Sequence, residues 1–317
     1  MRHRVLHGDG ATTSEFILGT WGLSGTGYGP VPEDALVQTI ERAVAARVTL
    51  IDAAAHYANG VIFEQLREPL ARFPQLGLMA RVGVEWRDGR PVKSLAPSSV
   101  TSAIEAVATG SGRARIDVCM LHAPSSSDFQ SGGAVDAMRD AVRRGLVRTW
   151  GASVTGVSEA HAAIDAGALT IAFPFHAFHQ PIYRSIAARA RGRGVRLIAH
   201  SVLAYGVLAG RFAPGHTFAD DDHRAERWAP HEFAARLDHL DVLRRLVRGE
   251  VHGLRSAALR YALHQDAITA VIVGPRSPDQ LDEMVRDIAR IEGSALPVED
   301  VLAFEAIAKA RGLIDNA

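Results

Sequence analysis

The sequence predicts a (β/α)8 barrel, also called a TIM barrel, and three observations carry that expectation. Short apolar runs of strand length recur about every 30 residues, helical patterns lie between them, and most runs are dominated by apolar residues without a strict polar alternation. Strands covered on both faces must read this way, and a run of strand–helix alternation at this length closes into a barrel. The alternative is a doubly wound sheet, but the first long run is not followed by the G-x-G-x-x-G turn that such a sheet uses for phosphate.

The elements follow in order. Residues 1–14 carry His7-Gly8-Asp9-Gly10 between short alternating runs, which predicts an N-terminal hairpin. Strands are expected at 16–21, 49–53, 77–82, 116–121, 147–152, 169–173, 195–199 and 270–273. Helices are expected at 32–46, 97–107, 134–144, 157–166, 182–192, 254–264, 278–291 and 298–309. Pro near several helix starts and Gly145, Gly167 and Gly192 near their ends match the usual asymmetry of helix termini. With no linker or low-complexity stretch in view, residues 1–317 are expected to form a single domain. One interval is irregular, a long loop after strand seven over 203–252, where a barrel often builds a lid or a phosphate contact. Its run Asp220-Asp221-Asp222 is expected to be a solvated turn, because three consecutive loop carboxylates cannot all face one ion.

Bulk composition narrows the class. Charged residues make up 22% of the chain, hydrophobic residues 47%, and the formal net charge is +0, so neither nucleic acid nor a membrane is expected as a partner. The one cysteine, Cys119, excludes an intrachain disulfide and a multi-cysteine metal site, and no metal is expected. The start Met1-Arg2-His3-Arg4 has no apolar signal core, and the expectation is a cytoplasmic enzyme. Lysine is confined to Lys93 and Lys309, so arginine stands at nearly every cationic position.

Chemistry in a barrel sits at the C-terminal ends of the strands. Read there, strand two delivers Asp52 and, five residues on, Tyr57. Strand three ends in Arg81, strand four in His122, strand five in Ser153, strand six in Pro174-Phe175-His176 and strand seven in His200-Ser201. An acid, a phenol, a cation and an imidazole from adjacent strands form a plausible acid–base set.

At these residues the chain resembles the aldo-keto reductases over nearly its whole length. Asp52 through Tyr57, with Asn59-Gly60 and Glu64, resembles the family segment D-[TA]-A-x-x-Y-G-N-G-x-x-E. Gly145-Leu146-Val147-Arg148 through Ser153 resembles G-K-V-R-x-x-G-x-S, and Ser201 through Arg211 resembles S-P-L-x-x-G-L-L-T-G-[KR]. Gly274 through Glu283 resembles G-x-[RK]-S-x-x-Q-x-x-E. The resemblance implies NADPH-dependent reduction of an aldehyde, ketone or keto-sugar, a small-molecule carbonyl substrate. By position it implies Tyr57 as proton donor, His122 orienting the substrate oxygen, and Asp52 holding the cation at Arg81. For the cofactor it implies Trp21, Ser153, Ser201, Leu203, Gly206, Leu208, Gly210 and Arg211 along the nicotinamide and pyrophosphate. Gly274, Arg276, Ser277, Gln280 and Glu283 would hold the adenosine 2′-phosphate end. His56, Trp86, Phe175, His176 and His200 are expected around the substrate.

Three positions depart from the family pattern. Arg81 stands where the family has Lys, and Val154 and Ala172 stand where polar groups hold the nicotinamide carboxamide. An unpaired carboxamide in a closed site costs about 1–3 kcal/mol per lost partner. Two other readings therefore accompany reduction: a barrel turned to non-redox acid–base chemistry such as dehydration, lyase, isomerase or cyclase reactions, and a non-catalytic cofactor-binding subunit.

Overall fold

The computed structural model describes residues 1–289 and 296–314. Strands β1 (His3–Val5) and β2 (Thr12–Ser14) pair antiparallel as the expected hairpin. The barrel strands β3 (Phe16–Gly19), β4 (Leu50–Ala54) and β5 (Gly77–Val82) come next, and a second hairpin follows, β6 (Val84–Arg87) and β7 (Arg90–Lys93). Then come β8 (Ile116–His122), β9 (Val147–Ser153), β10 (Thr170–Pro174), β11 (Arg196–His200) and β12 (Ile268–Val273). The barrel closes in the order β3-β4-β5-β8-β9-β10-β11-β12, with β12 pairing parallel to β3.

Helices α1 (Ala35–Ala45), α2 (Ile62–Arg72), α3 (Pro97–Ser111), α4 (Ser126–Ser131), α5 (Gly133–Arg143), α6 (Val157–Asp165) and α7 (Pro181–Gly192) alternate with the strands. After β11 come α8 (Pro230–Asp238), α9 (Leu240–Leu243) and α10 (Leu254–His264), then α11 (Pro278–Ala289) and α12 (Val298–Ala310). The expected end of the late helix at residues 290–291 lies outside the described residues. Helix α2 was not expected from the sequence: Pro69 interrupts its pattern, yet the ring sits buried on the same face as Ile62, Leu66 and Leu70. The helix gains enough from packing that face to absorb the lost backbone donor.

Two cores result. Side chains inside the barrel, among them Ile17, Met79, Val118, Met120, Ile198 and Ala270, pack with Leu6 from the hairpin. The hairpin therefore plugs the N-terminal end, where His7 Nδ1 meets Thr149 Oγ1 at 2.8 Å and Arg4 Nη1 donates to the Ile268 carbonyl at 2.6 Å. The larger core lies between strands and helices. With the N-terminal end plugged and the interior filled, a cavity opens at the C-terminal rim. Among the described residues, no helix is long and apolar enough to cross a membrane.

Candidate active site

The rim is built from strained turns. Ala58 and Asn59 after β4, Ala123 after β8, and Ser201, Ala204 and Tyr205 after β11 all have positive φ, between 46° and 58°. Such conformations cost non-glycine residues roughly 1–3 kcal/mol each and gather where the surroundings fix a functional geometry.

A cavity of about 510 Å³ opens between these turns. One end is lined by Asp52, His56, Tyr57, Arg81, His122 and His200, the other by Arg211, Arg255, Arg276 and Gln280, and Trp21 and Tyr28 also line it. At the deep end Arg81 Nε donates to Asp52 Oδ1 at 2.8 Å and Arg81 Nη2 to Asp52 Oδ2 at 2.9 Å. The remaining arm, Nη1, donates to Ser153 Oγ at 3.1 Å. Only an arginine can make this fork and reach a third group at once. Burial pushes the Asp52 carboxyl up, with the guanidinium opposing. Burial also acts to lower Arg81, but the charge of Asp52 and the phenol outweigh it, so its net shift is upward. Burial pushes the Tyr57 phenol up to about 12, opposed by Arg81.

Three imidazoles face the same end. The His56 ring lies 4.9 Å from Tyr57 edge to face and 5.1 Å from His122, centroid to centroid. The Nδ1 atoms of both His56 and His122 are buried without a hydrogen-bond partner. His200 Nδ1 lies 3.1 Å from Ser201 Oγ. Burial, reinforced by the nearby Arg81 charge, lowers His56 to about 4 and holds His122 and His200 well below the ordinary histidine value. All three are neutral at physiological pH and offer one donor and one acceptor each.

At the far end Arg276 Nη2 donates to the carbonyls of Gly29 at 3.2 Å and Pro30 at 3.1 Å, while its buried Nε has no partner. Gln280 Oε1 accepts from the Arg276 backbone N–H, and Ser277 Oγ accepts from the Gln280 N–H. Gly22 permits this end to close: a Cβ there would meet the Pro275 carbonyl at 2.8 Å. Glu283 pairs with Arg211 and Arg255.

Several expected residues stand elsewhere. Phe175 is fully buried, its N–H donating to the His200 carbonyl, and it packs on Phe173, Tyr183 and Tyr261 rather than lining the cavity. His176 follows it away from the cavity, stacks near His179 and accepts the Phe178 N–H at Nδ1. Once β10 ends, the chain closes a turn with His176 and His179 bonded through their backbones, and Phe175 packs on Tyr183 of α7. Trp86 sits on the β6–β7 hairpin, where its Cβ backs the turn at Gly60, and it does not line the cavity. Of the residues expected along the cofactor, Trp21, Ser201, Leu203, Gly206, Arg211, Gly274, Arg276 and Gln280 line the cavity. Ser153, Leu208, Gly210, Ser277 and Glu283 do not, and Leu208 is 2% exposed.

The structure adds Tyr28, Tyr205, Phe212 and Arg224 to the lining. They come from the irregular interval and from the loop after β3, which meet over the cavity. His223 N–H donates to the Gly27 carbonyl, and Tyr28 bridges Asp222. Asp222 is not a solvated residue: it is buried and holds Arg224, which lies over the rings of Tyr28, Phe212 and Phe218. The aromatic density at Phe212, Phe218, Trp228 and Phe233 is the sequence signal for a packed segment here.

A model of the aldo/keto reductase family matches residues 15–299. The chain belongs to the aldo/keto reductase family. Aldo-keto reductase YhdN of Bacillus subtilis (strain 168) is 23% identical over 309 residues, covering 95% of this chain and 91% of the relative. Among solved structures, the glycerol dehydrogenase AKR11B4 from Gluconobacter oxydans has a TM-score of 0.83 at 22% identity, covering 97% of this chain and 94% of that one. The aldo-keto reductase AKR11C1 from Bacillus halodurans, in its holo form, has a TM-score of 0.79 at 18% identity, covering 100% and 97%. As an aldo/keto reductase, the protein is an oxidoreductase of a family that reduces small-molecule carbonyls with nicotinamide cofactors. The cavity suits such a cofactor in size and in its cationic far end, where Arg276 carries an unmet buried donor. The nicotinamide end differs from the family pattern: Val154 and Ala172 are fully buried and apolar, and the Ser153 hydroxyl is engaged by Arg81.

Proposed function

We propose that this aldo/keto reductase uses NADPH to reduce an aldehyde, ketone or keto-sugar, with Tyr57 as the proton donor, in the cytoplasm. The observation that carries the reading is the set Asp52–Arg81, Tyr57 and His122 at one end of a cavity whose other end holds Arg276. When bound, the nicotinamide supplies the hydride that adds to the carbonyl carbon.

The protein's residues handle the oxygen. His122, kept neutral by burial, donates one hydrogen bond to the carbonyl oxygen and sets its direction toward Tyr57. Tyr57, pushed up to about 12, is fully protonated at neutral pH. As negative charge develops on the oxygen, its basicity rises far above that of a phenolate, and the phenol proton moves to it. Arg81 then faces the phenolate so formed, and Asp52 with Ser153 fixes the guanidinium so that its charge is in place beforehand. Solvent returns the proton to Tyr57. Arg276 and Ser277 would take the 2′-phosphate, with Gln280 on the adenosine and Ser201 through Arg211 along the pyrophosphate.

The test is NADPH titration followed by quenching of tryptophan fluorescence, with NADH as control, then NADPH oxidation against a panel of aldehydes, ketones and keto-sugars. Micromolar binding with turnover that Tyr57→Phe abolishes is the expected result. Binding without turnover of any carbonyl at high enzyme concentration would overturn it.

A further inference from the structure

We propose that the N-terminal end of the barrel, opposite the cavity, is a docking face for an anionic lipid surface. No residue of the cavity takes part, so this role stands apart from the reductase reading.

Charge is sorted between the two ends of the barrel. Seven loops carry the chain from a helix into a barrel strand, and they hold Arg47, Arg113, Arg115, Arg144 and Arg193 against one carboxylate, Asp266. Arg196 opens β11 directly beyond. The loops that leave the strands at the other end include the exposed acids Glu33, Asp34, Asp88, Asp220 and Asp221. The formal net charge of +0 is therefore an average over two unlike ends, and it does not argue against an anionic partner at one of them.

The acids at the N-terminal end are already engaged. Asp9 pairs with Arg148, Asp165 with Arg189, Asp266 with Arg191, and Glu15 with Arg2 and Arg4. Asp117, near Arg113, accepts the Leu78 N–H at 2.9 Å. Among the described residues no carboxylate forms an ion pair with Arg47, Arg113, Arg115, Arg193 or Arg196. Cations favour the C-terminal end of a helix dipole, which accounts for where these arginines stand. It does not cancel their charge. Arg113 donates to the carbonyls of Phe73, Pro74 and Leu76, which fix the guanidinium without neutralising it. Arg47, Arg115 and Arg193 are exposed. Burial lowers the proton affinity of His7, and the charges of Arg148 and Arg115 lower it further against Asp117 and Asp9, which places both guanidiniums near the hairpin plug.

Two aliphatic side chains share the face. Val5 is 40% exposed on the hairpin, while its neighbour Leu6 fills the barrel. Leu169, 46% exposed, precedes β10, and its carbonyl accepts the Arg196 N–H at 2.9 Å. Exposed aliphatic groups set among cations suit a lipid surface, whose headgroups take the guanidiniums and whose acyl boundary takes the aliphatic groups. A nucleic-acid backbone would use the cations and leave Val5 and Leu169 without a partner. The unpaired arginines enter β4, β8 and β11, which stand well apart around the closed barrel, so they spread over a face and do not line a groove. With this face docked, the cavity at the other end stays open to solvent.

The test is flotation of the full chain with phosphatidylcholine vesicles, with and without about one third phosphatidylglycerol, at about 0.15 M salt. Binding to the anionic vesicles is expected to be about 10²–10³-fold tighter than to the neutral ones. Arg115→Glu together with Arg193→Glu is expected to remove that preference. Arg87→Glu together with Arg90→Glu makes the same change of charge on the β6–β7 hairpin at the other end, and is expected to keep it. Thermal midpoints near that of the unmodified chain show that both variants are folded. No preference for anionic vesicles at this salt, or an equal loss in both variants, would overturn the proposal. Duplex DNA bound more tightly than the vesicles, with that binding lost in the Arg115→Glu, Arg193→Glu variant, would overturn the lipid assignment in favour of nucleic acid.

Discussion

The neutral imidazoles make a strong prediction about acid. His122 and His200 are buried at the cavity and His176 is buried behind β10; burial is the first cause of lowered proton affinity in all three, with His176 brought to about 3. Acceptance of the Phe178 N–H by His176 Nδ1 independently requires a neutral ring. In the unfolded chain each returns to the ordinary histidine value of about 6.5. The unfolded state therefore binds more protons than the folded state below that value, and stability falls as pH falls. The loss starts near the unfolded value and continues until the folded groups themselves titrate.

Between about pH 7 and about pH 5.5, each imidazole that stays neutral when folded costs about 1 kcal/mol of stability. The three together cost about 3–4 kcal/mol, and His56 and His223, each lowered to about 4, add about 2 kcal/mol more. A chain of 317 residues has an unfolding entropy near 0.7 kcal/mol/K, so the midpoint should drop by about 8 °C. Carboxylates held low by their partners, such as Asp128 and Asp222, act in the same direction but only nearer their own unfolded values. Asp52, pushed up by burial, opposes. The assay is thermal unfolding at fixed ionic strength across this range, with His176→Gln as a variant that removes one titrating ring away from the cavity and should shrink the drop by about a fifth. A midpoint that is flat or rises on acidification would refute the reasoning, since it would mean these rings are already cationic in the folded protein.

Tyr57→Phe should lower kcat by about 10²–10⁴-fold while NADPH binding, read by fluorescence, stays near wild type. Arg81→Met should cost about 3–5 kcal/mol in urea unfolding because it leaves the Asp52 carboxylate buried without its partner, and adding Asp52→Leu should recover much of that loss. Arg81→Lys should raise reductase turnover, because an ammonium freed from the Ser153 contact can turn toward the phenol; an inactive variant would give the guanidinium a role of its own. Arg276→Ala should weaken NADPH more than NADH in parallel titrations, and equal weakening would remove the arginine from the 2′-phosphate. Oxidation of the product alcohol should climb with pH across the alkaline range, because that direction needs the Tyr57 phenolate and its proton leaves only near about 12.

The barrel was legible because a strand covered on both faces reads as a mostly apolar run: those at 77–82 and 116–121 carry one charged residue each, Arg81 and Asp117, and are β5 and β8 to within a residue. The cluster of Asp52, Arg81 and His122 was legible for a related reason, since strand ends fix where side chains emerge. Legibility ended where position depends on a turn. Phe175 and His176 follow a strand end as His122 does, but Phe175 packs on Tyr183 and Tyr261 and His176 sits beside His179, so neither lines the cavity. Tyr28 and Arg224 lie 196 positions apart and meet only because two loops cross over the cavity, a relation with no local signature. Helix α2 was hidden by Pro69, a local veto that tertiary packing overrides.

The departures at Arg81, Val154 and Ala172 read from the sequence as a cluster at the nicotinamide end, and the geometry joins them through one bond. A lysine has one point charge and cannot hold both Asp52 oxygens and a serine two strands away on β9. The arginine can, and its third arm reaches Ser153 across the barrel interior. That bond takes up the hydroxyl that the family pattern turns toward the nicotinamide carboxamide. With Ser153 engaged, polar side chains at 154 and 172 would lose the third member of their clamp, and both positions are fully buried and apolar here. The three departures meet at Ser153: Arg81 bonds its hydroxyl, Val154 follows it and Ala172 pairs with it across β9 and β10. The arginine is a rigid cation near Tyr57, bound by a fork to Asp52 and by a third bond to Ser153. The orientation of the reacting carbonyl then rests more heavily on groups that hold the substrate, and His56 and His122 line the cavity beside Tyr57, where they can supply it.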